Sequence, residues 1–144
     1  MSPTLPCVLR AILGVVCGWI WPWHLGPTRY VQFAGILVAV VVGVSTRSLL
    51  RSFRKHRTSA DPKKAVDAIV DTGLYRYSRN PGYVAAGALQ AVVGLFLNNA
   101  WVLLFILPAM AVIHRVVVLS EEAYLEELFG QEYLSYKARV RRWL

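Results

Sequence analysis

Two polar segments of this chain carry the residue types that hold a charged, ring-bearing small molecule. The first runs Asp71-Thr72-Gly73-Leu74-Tyr75-Arg76-Tyr77-Ser78-Arg79-Asn80-Pro81-Gly82-Tyr83. Asn80-Pro81 marks a helix start, where free backbone N–H groups favour an anion. Arg76 and Arg79 place positive charge beside it, and Tyr75, Tyr77 and Tyr83 supply ring faces for stacking. A membrane-interface segment is equally rich in Arg and Tyr, so the composition alone leaves both readings open. The second segment covers 120–140, where Tyr124, Leu125, Leu128, Phe129 and Tyr133 recur at helical spacing and predict an amphipathic helix. Glu121 and Glu122 fall in its first turn if it starts at Ser120. There they either complement the helix dipole or turn one carboxylate toward a pocket, to hold a hydroxyl or ammonium group. Just upstream, Arg115 can snorkel to an interface, and His114 reads as a packing or hydrogen-bonding residue. No second His or Cys lies nearby to complete a ligand set, so no metal site is expected.

These segments need elements to position them, and the rest of the chain predicts what those are. Of 144 residues, 56% are hydrophobic and 17% charged. Soluble domains run at about 45–50% apolar and about 25% charged. A soluble enzyme, a disordered chain and a disulfide scaffold are all poor fits. Four apolar stretches stand out, at about 5–23, 30–50, 83–97 and 100–119. Spanning a bilayer takes roughly 20 apolar residues, so each is read as a transmembrane helix, the third being the shortest. Pro81 suits a first helical turn and can lengthen it. The expected fold is therefore all-α: a single polytopic membrane-embedded domain over 1–144, with about four transmembrane helices and a C-terminal amphipathic helix.

Charge sets the expected orientation. Nine basic residues lie between Arg47 and Arg79, and Lys137, Arg139, Arg141 and Arg142 follow the fourth stretch. The other two connections carry one Arg between them. The positive-inside rule then places the middle loop, and with four spans both termini, in the cytoplasm. Trp19, Trp21, Trp23, Tyr30 and Trp101 cluster toward the opposite face as an interfacial belt. The net charge of +8 is thereby a topology signal that faces anionic headgroups, and no nucleic-acid partner is expected. The first stretch lacks a small-x-small cleavage pattern and is read as retained. Cys7 and Cys17 both fall within it and read as small apolar residues. Gly14 and Gly18, then Gly35, Ala39 and Gly43, then Gly87 and Ala91 repeat one turn apart, which lets helix backbones approach closely in lipid. The third and fourth stretches are joined only by Asn98-Asn99. They form a hairpin, and the two polar segments emerge at its same end.

The combination resembles the integral-membrane methyltransferases related to isoprenylcysteine carboxyl methyltransferase and the phospholipid N-methyltransferases. Their pattern is Gly-Pro-Tyr-Arg-x-x-Arg-His-Pro-x-Tyr, a helical hairpin, Glu-Glu-x-x-Leu, Phe-Gly-x-x-Tyr, x-x-Tyr and a basic end. Here it reads Gly73-Leu74-Tyr75-Arg76 through Arg79-Asn80-Pro81-Gly82-Tyr83, then Glu121-Glu122 to Leu125, Phe129-Gly130 to Tyr133, and Tyr136. About half the chain is covered, from Asp71 onward. Leu74 stands where the family has Pro, and Asn80 where it has a His associated with the cofactor. Asn cannot change charge near neutral pH, so at this position only a binding role carries over.

The resemblance implies S-adenosylmethionine as cofactor, held by segments at about 71–83 and 115–142. Tyr75, Arg76, Arg79, Asn80, Pro81, Tyr83, Glu121, Glu122, Tyr133 and Tyr136 are the implied cofactor-binding residues, with Arg79 and Glu122 as positioning candidates. No catalytic nucleophile is assigned, because methyl transfer from a reactive donor is mostly a matter of positioning. The implied acceptor is lipophilic and enters from the bilayer. A prenylcysteine-like carboxylate is the first reading and a phospholipid amine or small thiol the second. A non-catalytic lipid-binding module with the same fold is the third. Neither the acceptor nor any self-association is specified by apolar span faces.

Overall fold

The computed structural model describes residues 4–55, 69 and 71–143, with the side chains of 4–8, 10 and 52–55 left out of that description. The basic residues between 56 and 68, and the Cys7 side chain, lie outside the described set. All regular elements within it are helical. Helix α1 is Thr4–Ile20 and α2 is Thr28–Lys55. A short 3-10 turn, Gly73–Arg76, leads to α3, Pro81–Phe96. Helix α4, Ala100–Phe129, is the longest, and α5, Gln131–Arg139, closes the chain.

Among the described residues two helices, α2 and α4, are long and apolar enough to cross a membrane. Helices α1 and α3 are apolar but have 17 and 16 residues, or about 26 and 24 Å at 1.5 Å per residue. The outward faces of all four are apolar: Trp19 of α1 is 90% exposed, Val44 of α2 67%, Leu89 of α3 57% and Leu107 of α4 71%. A surface so continuously apolar requires lipid or protein against it.

Small residues decide the packing. A Cβ at Gly14 would stand 2.9 Å from the Val102 Cα, and one at Gly18 would collide with the Asn99 amide, so α1 lies directly on the start of α4. Gly35 meets Leu95 and Phe96 and seats α2 on the end of α3. Gly87 faces Met110 across the hairpin, whereas Gly43 has no neighbour within 4 Å. The repeat in α2 is therefore a packing face at one end and a groove at the other. Inside the hairpin, the buried Gln90 donates to the Val102 carbonyl at 3.0 Å.

The end of the bundle away from the two polar segments is held by Asn98 and Asn99. Asn98 accepts from the Leu25 N–H at 3.0 Å and donates to the Gly26 carbonyl at 2.9 Å and the Thr28 hydroxyl at 3.2 Å. Asn99 caps α4 by accepting from the Trp101 N–H, and it donates to the Gly14 carbonyl. The pair that reads in sequence as a bare connection ties three helices together.

The structure changes two expectations. No new helix begins at Ser120. α4 continues to Phe129 through a tightened turn at Phe105 and a π-helical stretch, His114–Val118. Pro108 accounts for the first irregularity, since it has no N–H to give the Leu104 carbonyl. The Leu119 N–H still donates back to the His114 carbonyl, so Glu121 and Glu122 sit mid-helix and the helix-dipole reading fails. Nor does one amphipathic helix run over 120–140. Gly130, at φ 52° and ψ −123°, breaks it into the last part of α4 and α5. Tyr124 and Leu128 are consequently exposed, and Tyr133 is buried, instead of sharing a face.

Candidate functional site

The first turn of α3, the end of α4, the 3-10 turn, α5 and the C-terminal residues meet at one end of the bundle. Pro81 occupies the first helical position, which suits its fixed φ, and Asn80 precedes it with non-helical backbone. The Asn80 side chain does not cap the helix. It donates to the Arg142 carbonyl at 3.0 Å, while its N–H goes to the Ser78 hydroxyl. The Arg79 N–H donates to the Arg141 carbonyl at 2.9 Å. Residues 141–142 thus lie along 78–80 as a strap.

Through this strap Arg142 enters the site. Its guanidinium grips Glu122 with two bonds, Nε to Oε1 and Nη2 to Oε2, both 2.9 Å. Arg79 approaches the same carboxylate from the other side, Nη1 to Oε1 at 3.3 Å. Arg79 and Glu122 are both buried, at 8% and 7% side-chain exposure, and Arg142 is only partly covered. The three charges sum to +1. The Arg79 Nε and Nη1 hydrogens are buried without an aligned hydrogen bond among the described residues. A buried donor in that condition is costly and calls for an acceptor.

The other carboxylate is held differently. Glu121 accepts from the Tyr83 hydroxyl at 2.9 Å and is half-buried. Tyr136 donates its hydroxyl to the Tyr75 carbonyl at 2.9 Å, joining α5 to the 3-10 turn, and its ring lies 6.0 Å from that of Tyr133. Lys137 pairs with Glu126 and fastens α5 to α4.

Of the residues expected at the site, Tyr75, Arg79, Asn80, Pro81, Tyr83, Glu121, Glu122, Tyr133 and Tyr136 gather here. Arg76 belongs to the same 3-10 turn but is exposed. Arg142 and the buried Ser78 were not singled out by sequence. Arg142 reads there as one more residue of a basic end, and Ser78 acts through backbone contacts that no motif announces. His114 lies lower in α4, its Nδ1 buried without a hydrogen-bond partner among the described residues and its ring 5.9 Å from Trp143.

Burial has a consequence for the tyrosines. It pushes the Tyr75 hydroxyl up to about 12, with the Glu121 carboxylate adding to the effect. It raises Tyr136 as well, helped by Tyr75. In the unfolded chain a tyrosine ionises near 10. A raised folded value means the neutral phenol is favoured by folding, so this stability is complete below pH 10 and is lost as pH rises from about 10 to about 12. Thermal unfolding should accordingly be flat from neutrality to about pH 10 and fall above it. Tyr136→Phe should start less stable and fall less steeply, and equal alkaline slopes for the two proteins would refute this assignment.

With the geometry described, comparison with known proteins gives the family. The family model for phospholipid methyltransferases matches residues 30–132. The chain belongs to the phospholipid methyltransferase family. It is 33% identical over 120 residues to a protein-S-isoprenylcysteine O-methyltransferase of Saccharomyces cerevisiae, covering 78% of this chain and 48% of that protein. The chain thus spans about half the length of that relative. It is also 44% identical over 50 residues to an uncharacterized protein of Haemophilus influenzae, covering 35% of this chain and 79% of that one. No solved structure matches significantly. The match over 30–132 takes in the 3-10 turn, α3, both glutamates and the first two residues of α5, and stops short of Tyr133, Tyr136 and the strap.

Proposed function

We propose that the protein transfers a methyl group from S-adenosylmethionine to a lipophilic acceptor at the cytoplasmic face of a membrane, in which α1 to α4 are four spans and both termini are cytoplasmic. The observation that carries this reading is the buried Arg79, set beside a paired carboxylate and a layer of tyrosine rings with two of its nitrogens lacking aligned partners. The donor set fits the cofactor. Arg79 is suited to its carboxylate, Glu121 or Glu122 to its ammonium or ribose hydroxyls, and Tyr75, Tyr133 and Tyr136 to its rings and to a sulfonium through cation–π attraction. Asn80 holds the strap that covers this cluster, a binding role that needs no change of charge.

S-adenosylmethionine supplies an activated methyl group, so the protein's own task is to bind, orient and exclude water. Buried Arg79 and Glu122, each fixed by neighbours, favour orientation. Among acceptors, a prenylcysteine-like carboxylate is the first reading: it needs no base, and the yeast relative is named for an activity of that kind. A phospholipid amine is the second, in keeping with the phospholipid methyltransferase family model that matches the chain. An amine must first lose a proton. Titration calorimetry of the purified protein with S-adenosylmethionine and with its demethylated product tests the enzyme reading. Saturable binding of either is expected, and no binding of both would leave only a non-catalytic lipid-binding module.

A further inference from the structure

A groove of about 990 Å³ runs between α2 and α3, and none of its lining residues belongs to the charged cluster. Its walls are Ala39, Val42, Gly43, Ala85, Ala86 and Leu89, and Arg47 and Arg51 stand at one end with Gly82 opposite. Small-molecule sites are about 300–1,000 Å³, so this one is at the upper limit and suits a long ligand. The space is built into the sequence: a Cβ at Gly43 or Gly82 would meet nothing within 4 Å. Arg47 and Arg51 lie one turn apart on the same face of α2. Neither forms an ion pair or hydrogen bond with another described residue, and no Asp or Glu is among the described residues that line the groove. Two unpaired guanidiniums above an apolar trough, in a protein whose outer face is apolar, match a ligand with an anionic head and hydrocarbon chains.

We propose that this groove binds one anionic phospholipid, its phosphate on Arg47 and Arg51 and its chains along Ala39, Gly43 and Ala86. Binding in this groove does not depend on methyl transfer, and phosphatidylglycerol, the probe for it, has no amine to methylate. Native mass spectrometry of the full chain in mild detergent, titrated with dioleoylphosphatidylglycerol, should show one saturable site. The matching diacylglycerol, which lacks the phosphate, and inorganic phosphate, which lacks the chains, should each bind at least about tenfold more weakly. The double variant Arg47→Gln, Arg51→Gln should lose about tenfold in affinity for phosphatidylglycerol and none for diacylglycerol. Gly43→Leu, which adds bulk to the trough at a position where a Cβ has open space, should weaken both lipids. Unchanged phosphatidylglycerol binding in the double variant overturns the proposal, as does diacylglycerol or inorganic phosphate binding as tightly as the phospholipid. Affinity for S-adenosylmethionine, measured on the same samples, should not change in these variants, so failure here and failure of the methyltransferase reading are read separately.

Discussion

Arg79→Ala is expected to weaken S-adenosylmethionine binding by about 10- to 100-fold, the range for one lost hydrogen-bonded charge pair. The fold should survive the substitution, because Glu122 keeps the two bonds from Arg142. Arg79→Lys keeps the charge but not the planar fork and should fall between the variant and the parent. Arg76→Ala is the informative contrast. Arg76 is three residues earlier, at the end of the 3-10 turn, is equally basic, and is exposed. Its loss should cost less than about fivefold, as for a solvent-screened charge. Calorimetry on the three variants decides the matter. If Arg76→Ala weakens binding more than Arg79→Ala, the cofactor lies on the outer face of the 3-10 turn and the buried cluster is structural only.

The second large effect is on stability and falls at the other end of the bundle. Asn98→Ala removes the partners of the Leu25 N–H, the Gly26 carbonyl and the Thr28 hydroxyl at a site only 5% exposed. It also puts alanine at φ 48°, a left-handed conformation that asparagine tolerates better. Together these cost about 3 kcal/mol, and a drop in Tm of about 10 °C is expected. Asn98→Gly should recover only the backbone part of that loss. Cofactor affinity should stay as in the parent. A Tm for Asn98→Ala within about 1 °C of the parent, on thermal unfolding in detergent, would mean that the linker to α2 is held by other contacts.

Much of the site was legible because it rests on local rules. Asn80-Pro81 sets a helix start by backbone chemistry alone, and a two-residue connection forces α3 and α4 into a hairpin, so the segments around Tyr83 and Glu122 had to meet. What was not legible depends on contacts distant in sequence. The strap is made by the carbonyls of Arg141 and Arg142, and every residue has a carbonyl. The course of α4 past Leu119 was misread for a different reason. The chain turns polar at Ser120, but polarity marks where the hydrocarbon would end, not where the helix does. Without Gly, Pro or a cap between Val118 and Phe129, nothing stops the helix until Gly130 does. The Gly130 break also resets the helical phase, which is why an apolar face drawn across Tyr124 and Tyr133 could not hold.

The π-helical stretch His114–Val118 has a bearing on how such a protein can change over time. One residue accommodated there turns everything beyond it by about 100° relative to an uninterrupted α-helix. The stretch works as an index coupling: below it α4 is phased to pack within the hairpin, and above it the phase brings Glu122 inward. The two halves need not share one compromise register, so the packing half and the charged half of a single rod are free to drift separately in sequence as long as the coupling keeps its count.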